Sequence, residues 1–171
     1  MPAPLRAMDF EVGIEYGQFL IEDTRSNTDH TEDAEASLWT EILPNVVRVL
    51  VPYTGVQYVA VRLERWAEQP EIGPLEPFAE PDEGKVELSG GSVTVSMTTE
   101  GFGPPFFEVG APGTYAYHAY RHGAEEALRL RETQDEIVHG VERCLIRFWP
   151  AGPVLEAEEL APAEALNDGG K

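Results

Sequence analysis

The feature that most constrains the fold of this chain is a series of short apolar stretches that alternate with polar residues and are separated by glycine and proline. Residues 46–51 and 56–63 are β-branched runs, and residues 85–97, 113–121 and 141–149 alternate in the same way. Such period-2 patterns are typical of strands with one buried face. The sequence therefore predicts an all-β fold, a single antiparallel β-sandwich of about seven to eight strands with long acidic loops.

Residues 10–21 are expected to form one bent strand. Before Gly17 the apolar residues occupy even positions, and after it they occupy odd positions. A change of phase by one residue beside a glycine is typical of a β-bulge, so we expect a bulge at Gly17.

Two local hairpins are predicted. The runs 46–51 and 56–63 are separated by the turn cluster 52–55, and Gly90-Gly91 is a two-residue loop inside residues 85–97. Glycine tolerates the positive φ angles of a primed hairpin turn. In the second hairpin the expected core-facing cross-strand pairs are Leu88 with Val93 and Val86 with Val95.

The remaining elements follow from the same patterns. Residues 113–121 form an aromatic strand, and residues 141–149 form a last strand with Cys144, Ile146 and Phe148 pointing inward and Arg143 and Arg147 outward. A short helical turn is expected at residues 36–42. Residues 125–135 form either a short helix, supported by Glu125 and Arg129 at i, i+4 spacing, or an extended loop.

The 171 residues are enough for one compact domain with a hydrophobic core. We expect residues 1–153 to form the sandwich domain. Residues 154–171 are rich in Ala, Glu and Pro, a composition that buries little apolar surface, and we expect them to be a disordered acidic tail.

The charge of the chain limits its partners. Asp and Glu number 31 against 12 Lys and Arg, for a formal net charge of -19. Such a surface repels phosphate, which argues against direct binding of nucleic acid and against docking on anionic membranes. The acids concentrate in residues 23–35 and in the proline-rich residues 68–84. Solubility or adaptation to a salty habitat explains the same acidity equally well.

The cysteine content and the N-terminus indicate a compartment. Cys144 is the single cysteine, so no intramolecular disulfide can form, and the N-terminus lacks the charged and apolar pattern of a leader. No apolar run approaches the roughly 18 residues of a membrane span. These features predict a cytoplasmic protein whose cysteine is a buried apolar residue.

No catalytic signature emerges from the motifs. His118 and His122 have metal-ligand spacing only on a helix, whereas His118 lies in a predicted strand, and His30 and His139 add no recognisable spacing. The glycines at 101 and 103 precede two prolines and not a helix, so they form no phosphate-binding loop. We therefore expect no catalytic residue, no metal and no cofactor.

A ligand-binding module is the alternative interpretation. Aromatic residues at positions 39, 66, 115, 117 and 120 are of the type that stacks on sugars, although such residues more often pack in the core. The acids of residues 23–35 resemble calcium ligands but lack the alternate spacing of an EF-hand. Carbohydrate or calcium binding therefore stays open beside the interpretation that follows.

Several short motifs resemble a known family. They are Tyr16-Gly17-Gln18-Phe19, Trp39-Thr40-Glu41 after an acidic loop, Gly113-Thr114-Tyr115 at the start of a strand, and the terminal Phe148-Trp149-Pro150. With the strands between them they cover most of residues 8–150. The arrangement resembles the ComJ-like β-sandwich family of competence-associated proteins that inhibit the DNA-entry nuclease. The resemblance implies an inhibitor of a nuclease and assigns no functional residue to this chain.

The charge and the resemblance lead to one hypothesis. A nuclease site is basic because it holds phosphates, and an acidic protein can occupy it with carboxylates. We expect a non-enzymatic inhibitor or immunity protein with a basic protein partner, and the sequence does not indicate its oligomeric state. The candidate partner-binding residues, within residues 23–35 and 68–87, are Asp29, Glu32, Asp33, Glu35, Glu80, Asp82 and Glu83.

Overall fold

The computed structural model describes residues 2–14, 16–28, 34–51, 56–73, 75–79, 81–99 and 102–152. These residues form eleven strands and one helix, so the chain is mostly β as expected. The elements are β1 (Arg6–Ile14), β2 (Gln18–Asp23), β3 (Glu35–Ala36), β4 (Thr40–Leu43), β5 (Val46–Leu50), β6 (Gln57–Arg65), β7 (Asp82–Leu88), β8 (Ser92–Ser96), β9 (Phe107–Glu108), β10 (Gly113–His122), α1 (Ala124–Thr133) and β11 (Val138–Pro150).

The strands form two sheets. The five-stranded sheet has the order β1-β6-β11-β10-β7, and the six-stranded sheet has the order β3-β4-β5-β2-β8-β9. Every neighbouring pair is antiparallel except β6 and β11, which are parallel. The expectation of a purely antiparallel arrangement is therefore wrong for this pair. Strands far apart in the chain can pair in either direction, because no tight turn links them.

The inner faces of the two sheets share one hydrophobic core. Phe19 and Val49 of the six-stranded sheet are fully buried in the same cluster as Leu63 and Ile146 of the five-stranded sheet. The inward orientation expected for Cys144, Ile146 and Phe148 is confirmed, because all three belong to this cluster.

The single bent strand expected over residues 10–21 is two strands. β1 pairs with β6 in one sheet, and β2 pairs with β5 and β8 in the other. Tyr16 and Gly17 have positive φ angles of 56° and 71°, and their turn carries the chain from one sheet to the other. The change of phase at Gly17 is real, but a crossing between sheets causes it and not a bulge.

Neither predicted hairpin forms. β5 and β6 lie in different sheets, and so do β7 and β8; the turn expected at 52–55 lies outside the described residues. Gly91 does have a positive φ of 73°, and a Cβ there would lie 2.0 Å from the backbone oxygen of Gly110. Leu88 and Val93 face the core from opposite sheets. The alternation of apolar and polar residues predicts which face of a strand is buried. The same alternation occurs whether two successive strands pair in one sheet or lie in opposite sheets.

Of the two helical stretches considered from the sequence, one forms a helix and the other does not. Of the two alternatives left open for residues 125–135, the structure shows the helix, α1, although Arg129 pairs with Glu126 and not with Glu125. The helical turn expected at residues 36–42 is wrong, because this stretch contains part of β3 and of β4, which pair with each other. No helix in the described part of the chain is long and apolar enough to span a membrane.

Described residues that follow β6 cover part of the outer face of the five-stranded sheet. Trp66 packs with Ala116 and Trp149 in a small second cluster. Farther along, the Phe78 ring lies edge-on to Tyr120, with centroids 6.3 Å apart. These residues therefore bury some outward side chains of β10 and β11, among them Ala116, Tyr120 and Trp149. The acidic tail expected over 154–171 lies outside the described residues.

Candidate functional site

An open cleft of about 700 Å³ lies where the edges of the two sheets meet. β3 is an edge strand of the six-stranded sheet, and β7 is an edge strand of the five-stranded sheet. We call this space the edge cleft. Its walls include Glu35, Ser37, Glu83, Lys85, His118 and Trp149.

The edge cleft brings together two candidate residues that are far apart in the sequence. Glu35 lies at the end of the first acid-rich segment, and Glu83 lies at the end of the second. Glu35 is exposed, and the Glu83 side chain keeps 61% of its surface in contact with solvent. Among the described residues in the walls, Lys85 is positively charged and Glu35 and Glu83 are negatively charged, so the cleft has a net charge of -1.

Asp82, another candidate, is placed differently. It is only 1% exposed. One carboxylate oxygen accepts hydrogen bonds from the backbone N–H groups of Trp39 and Thr40, at 2.9 and 2.8 Å, and from the Thr40 hydroxyl. The other accepts bonds from the Ser37 hydroxyl and from the N–H of Glu83. Asp82 thus ties the edge of one sheet to the turn before β4 in the other, and its carboxylate does not reach the surface.

The hydrogen bonds determine the charge state of Asp82. Burial by itself disfavours the carboxylate, but the bonds donated by Ser37, Trp39 and Thr40 outweigh burial and lower the pKa of Asp82. The carboxylate is therefore ionised at neutral pH, and its charge strengthens hydrogen bonds within the fold.

Tyr117 forms the base of the edge cleft beside Asp82. Its hydroxyl is 2.8 Å from the Thr40 hydroxyl, and burial raises the pKa of Tyr117 to about 12. A Cβ on Gly84 would lie 2.5 Å from that Tyr117 hydroxyl. The absence of a side chain at position 84 is therefore what admits Tyr117 to this position.

His118 lies in the wall of the edge cleft and is 1% exposed. Its ring packs on Trp149 with centroids 4.4 Å apart, and its Nε2 is 3.8 Å from Glu83. Burial lowers the pKa of His118, against the opposing effect of Glu83. The imidazole is therefore neutral at neutral pH, so it does not cancel the negative charge of Glu83.

The other four candidate residues, Asp29, Glu32, Asp33 and Glu80, lie outside the described residues. Sequence reasoning missed Lys85, His118 and Trp149 as cleft residues. Their assembly depends on the pairing of β7 with β10 and of β10 with β11. No local motif predicts such a register.

The described histidines lie in separate surroundings. His118 packs on Trp149, His122 faces the edge of Phe78, and His139 stacks on Tyr58. Within the described ranges, no group of three His, Cys, Asp or Glu side chains is placed to hold a metal ion. Cys144 is fully buried, and this burial, with a smaller effect of Glu142, raises its pKa to about 12. Its thiol is therefore protonated and a poor nucleophile.

The aromatic residues considered for sugar stacking are mostly interior. Tyr115, Tyr117, Tyr120 and Trp66 are no more than 8% exposed, and Trp39 packs against the core while half-buried. A stacking surface needs exposed ring faces. These residues therefore pack in the interior, as aromatic residues of this kind more often do.

Two solved structures share this fold. One is described as crocagin biosynthetic gene J, with a TM-score of 0.56 and 15% identity over 86% of this chain and 100% of that chain. The other is ComJ from Bacillus subtilis, described as the inhibitor of the DNA degrading activity of NucA, with a TM-score of 0.52 and 10% identity over 88% of this chain and 98% of that chain. No family model matches the chain, and no curated protein matches its sequence. At these identities the likeness is one of fold.

Proposed function

We propose that this chain is a non-enzymatic acidic binding protein of inhibitor or immunity type, whose partner is a basic protein such as a nuclease. The observation that carries the proposal is the meeting of Glu35 and Glu83 in one exposed cleft. We further infer that the two sheets form a β-sandwich, on which the edge cleft is the partner-binding face.

The electrostatics of the edge cleft support this role. A basic nuclease site attracts negative charge, and carboxylates can take the positions of phosphates. In the chain as a whole, acids exceed bases by 19 charges, which would steer a basic partner over long range. Within the cleft, neutral His118 leaves Glu83 free to attract a cation.

The rigidity of the cleft walls also supports binding. Asp82 uses both of its oxygens to connect β7 with the turn before β4, so the backbones that carry Glu83 and Glu35 are held close together. A backbone that is already ordered loses less conformational entropy when a partner binds.

The fold supports the class of role. ComJ, whose fold is similar, is described as an inhibitor of the DNA degrading activity of NucA. We infer a similar inhibitory role here and assign no catalytic residue. A free, buried Cys144 fits a reducing compartment, and we propose that the protein acts in the cytoplasm.

The test combines capture with inhibition. The full chain is immobilised in extract of the source cell at low salt, the captured proteins are identified, and their DNA-degrading activity is measured with and without added chain. We expect a basic DNA-degrading enzyme that the chain inhibits and that dissociates more readily as salt rises.

A charge-matched pair of variants tests the edge cleft. Glu35→Gln with Glu83→Gln removes two cleft carboxylates, whereas Glu125→Gln with Glu132→Gln removes two exposed carboxylates of α1 and changes the net charge equally. The cleft variant should weaken inhibition by roughly tenfold or more, mainly through slower association, and the helix variant should not. Equal effects of the two variants, or capture of no nuclease, would overturn the proposal.

A further inference from the structure

A second cavity lies on the outer face of the five-stranded sheet, away from the edge cleft. It has a volume of about 490 Å³, within the usual range for small-molecule sites. We call it the arginine groove. Its walls include Asp9, Ala60, Arg62, Phe78, Arg143 and Leu145.

Side-chain size explains why this part of the face is open. Ala60 of β6 lies opposite Arg143 of β11, so the floor has a small residue where neighbouring positions have larger ones. Phe78 forms one wall, and its ring is held edge-on to both Tyr120 and His122. The chain around Phe78 thus leaves an apolar trough between the Phe78 ring and β6.

The backbone of β11 is irregular at the end of the arginine groove. The register against β6 shifts between His139 and Arg143, and Gly140 has a positive φ of 63°. Irregularities of this kind change the direction of the side chains that follow and are frequent beside functional sites. Here the irregularity is followed directly by Arg143, an exposed side chain that lines the groove.

One charged side chain of the groove has no carboxylate partner among the described residues. Asp9 is held by Arg62 at 3.1 Å, and Glu64 by Arg62 and Arg147, also at 3.1 Å. Arg143 forms no ion pair with any described residue, and its Nε–H donates a hydrogen bond of 3.5 Å to the backbone oxygen of Gly140. Among the lining side chains, two carboxylates and two arginines leave no net charge, but Arg62 pairs with both carboxylates and Arg143 with neither. Glu11, on the same face, lies instead 3.6 Å from His139.

An arginine beside an apolar trough is informative when no described carboxylate pairs with it. With 31 acidic residues against 12 basic ones, carboxylates that could pair with Arg143 are plentiful. A guanidinium binds a carboxylate through two parallel hydrogen bonds, so Arg143 is suited to hold the carboxylate of a bound molecule.

We propose that the arginine groove binds a small carboxylate with an apolar body, with the carboxylate on Arg143 and the apolar body on Ala60, Leu145 and Phe78. This site is separate from the edge cleft, and the proposal does not depend on the inhibitor function.

The test uses phenylacetate as the probe and phenylacetamide, its neutral analogue of the same shape, as the control. Amide resonances of the full chain are followed by NMR during titration. Phenylacetate should shift the resonances of Ala60, Gly140 and Leu145 in a saturable way, with a dissociation constant on the order of 1 mM, as expected for so small a ligand. Phenylacetamide should bind at least tenfold more weakly.

Three variants locate the site. Arg143→Gln should weaken phenylacetate binding at least tenfold, and Ala60→Leu should do the same by filling the trough. Arg129→Gln, which removes an exposed arginine of α1, should leave it unchanged. Equal binding of the two probes, or unchanged phenylacetate binding in Arg143→Gln, would overturn the proposal. Inhibition of a nuclease by Arg143→Gln should match that by wild type, so the two proposals can fail separately.

Discussion

The carboxylate of Asp82 on β7 accepts a hydrogen bond of 2.8 Å from the backbone N–H of Thr40, the first residue of β4. The two residues belong to different sheets. Because the Thr40 hydroxyl also bonds Tyr117 and Asp82, one buried acid organises the base of the edge cleft. Its contacts lead to two predictions about stability, and the packing of Gly84 and of Cys144 leads to one prediction each.

Asp82→Asn should lower the free energy of unfolding by about 2–4 kcal/mol. The amide nitrogen of Asn cannot accept hydrogen bonds, so at least two buried donors lose their acceptor. Urea unfolding of both proteins measures the difference. Glu83→Gln, one residue away and exposed, is the control and should stay within about 0.5 kcal/mol of wild type. A loss for Asp82→Asn no larger than that of the control would contradict the organising role of Asp82.

The contribution of Asp82 should also depend on pH. Its pKa lies below the ordinary 3.8 because hydrogen bonds from Ser37, Trp39 and Thr40 outweigh the effect of burial. A group with a lowered pKa in the folded state stabilises the protein above its unfolded pKa and loses this effect as the pH falls through the folded value. The stability gap between wild type and Asp82→Asn should therefore be constant near neutral pH and narrow below about pH 4. Urea unfolding between about pH 2.5 and pH 7 measures it, and a gap that does not narrow would show that the charge is not responsible.

Gly84→Ala should destabilise the fold by about 1–3 kcal/mol. The new Cβ would lie 2.5 Å from the Tyr117 hydroxyl and 2.8 Å from Cδ1 of Ile42, which are packed between the sheets. Gly113→Ala is the matched control, because a Cβ at the start of β10 meets nothing within 4 Å. Thermal unfolding should separate the two variants. If both unfold at the wild-type temperature, the base of the edge cleft has room that the distances do not indicate.

Burial was predictable from the sequence to a larger extent than pairing. The alternation that places Val86 and Leu88 in the core extends back through Gly84 to Asp82, and this phase is the signal that Asp82 points inward. The acidic residues around Asp82 favoured the opposite prediction, because a carboxylate after a proline-rich loop is usually exposed. Burial of Asp82 also requires donors from Trp39 and Thr40, and no local pattern links them to position 82.

The pairings failed for a physical reason. A tight turn between two alternating runs satisfies local geometry whether the second run continues in the same sheet or crosses to the other. The choice depends on which long-range partners take the free strand edges, as β10 does for β7 and β2 for β8. The meeting of Glu35 and Glu83 depends on the same long-range contacts, so the sequence could supply the residues but not the cleft.

Cys144 should be almost unreactive in the folded protein. Burial, with a smaller effect of Glu142, raises the pKa of its thiol to about 12, so at pH 8 the thiolate is scarcer than in an unfolded chain by a factor of roughly a thousand. An aromatic disulfide reagent should label the native chain only as fast as the chain opens. In urea the reagent should label one thiol per chain, the single cysteine of the sequence, and Cys144→Ala should give no signal in either condition. Labelling of the native protein at the unfolded rate would contradict the placement of Cys144 on the inner face of β11.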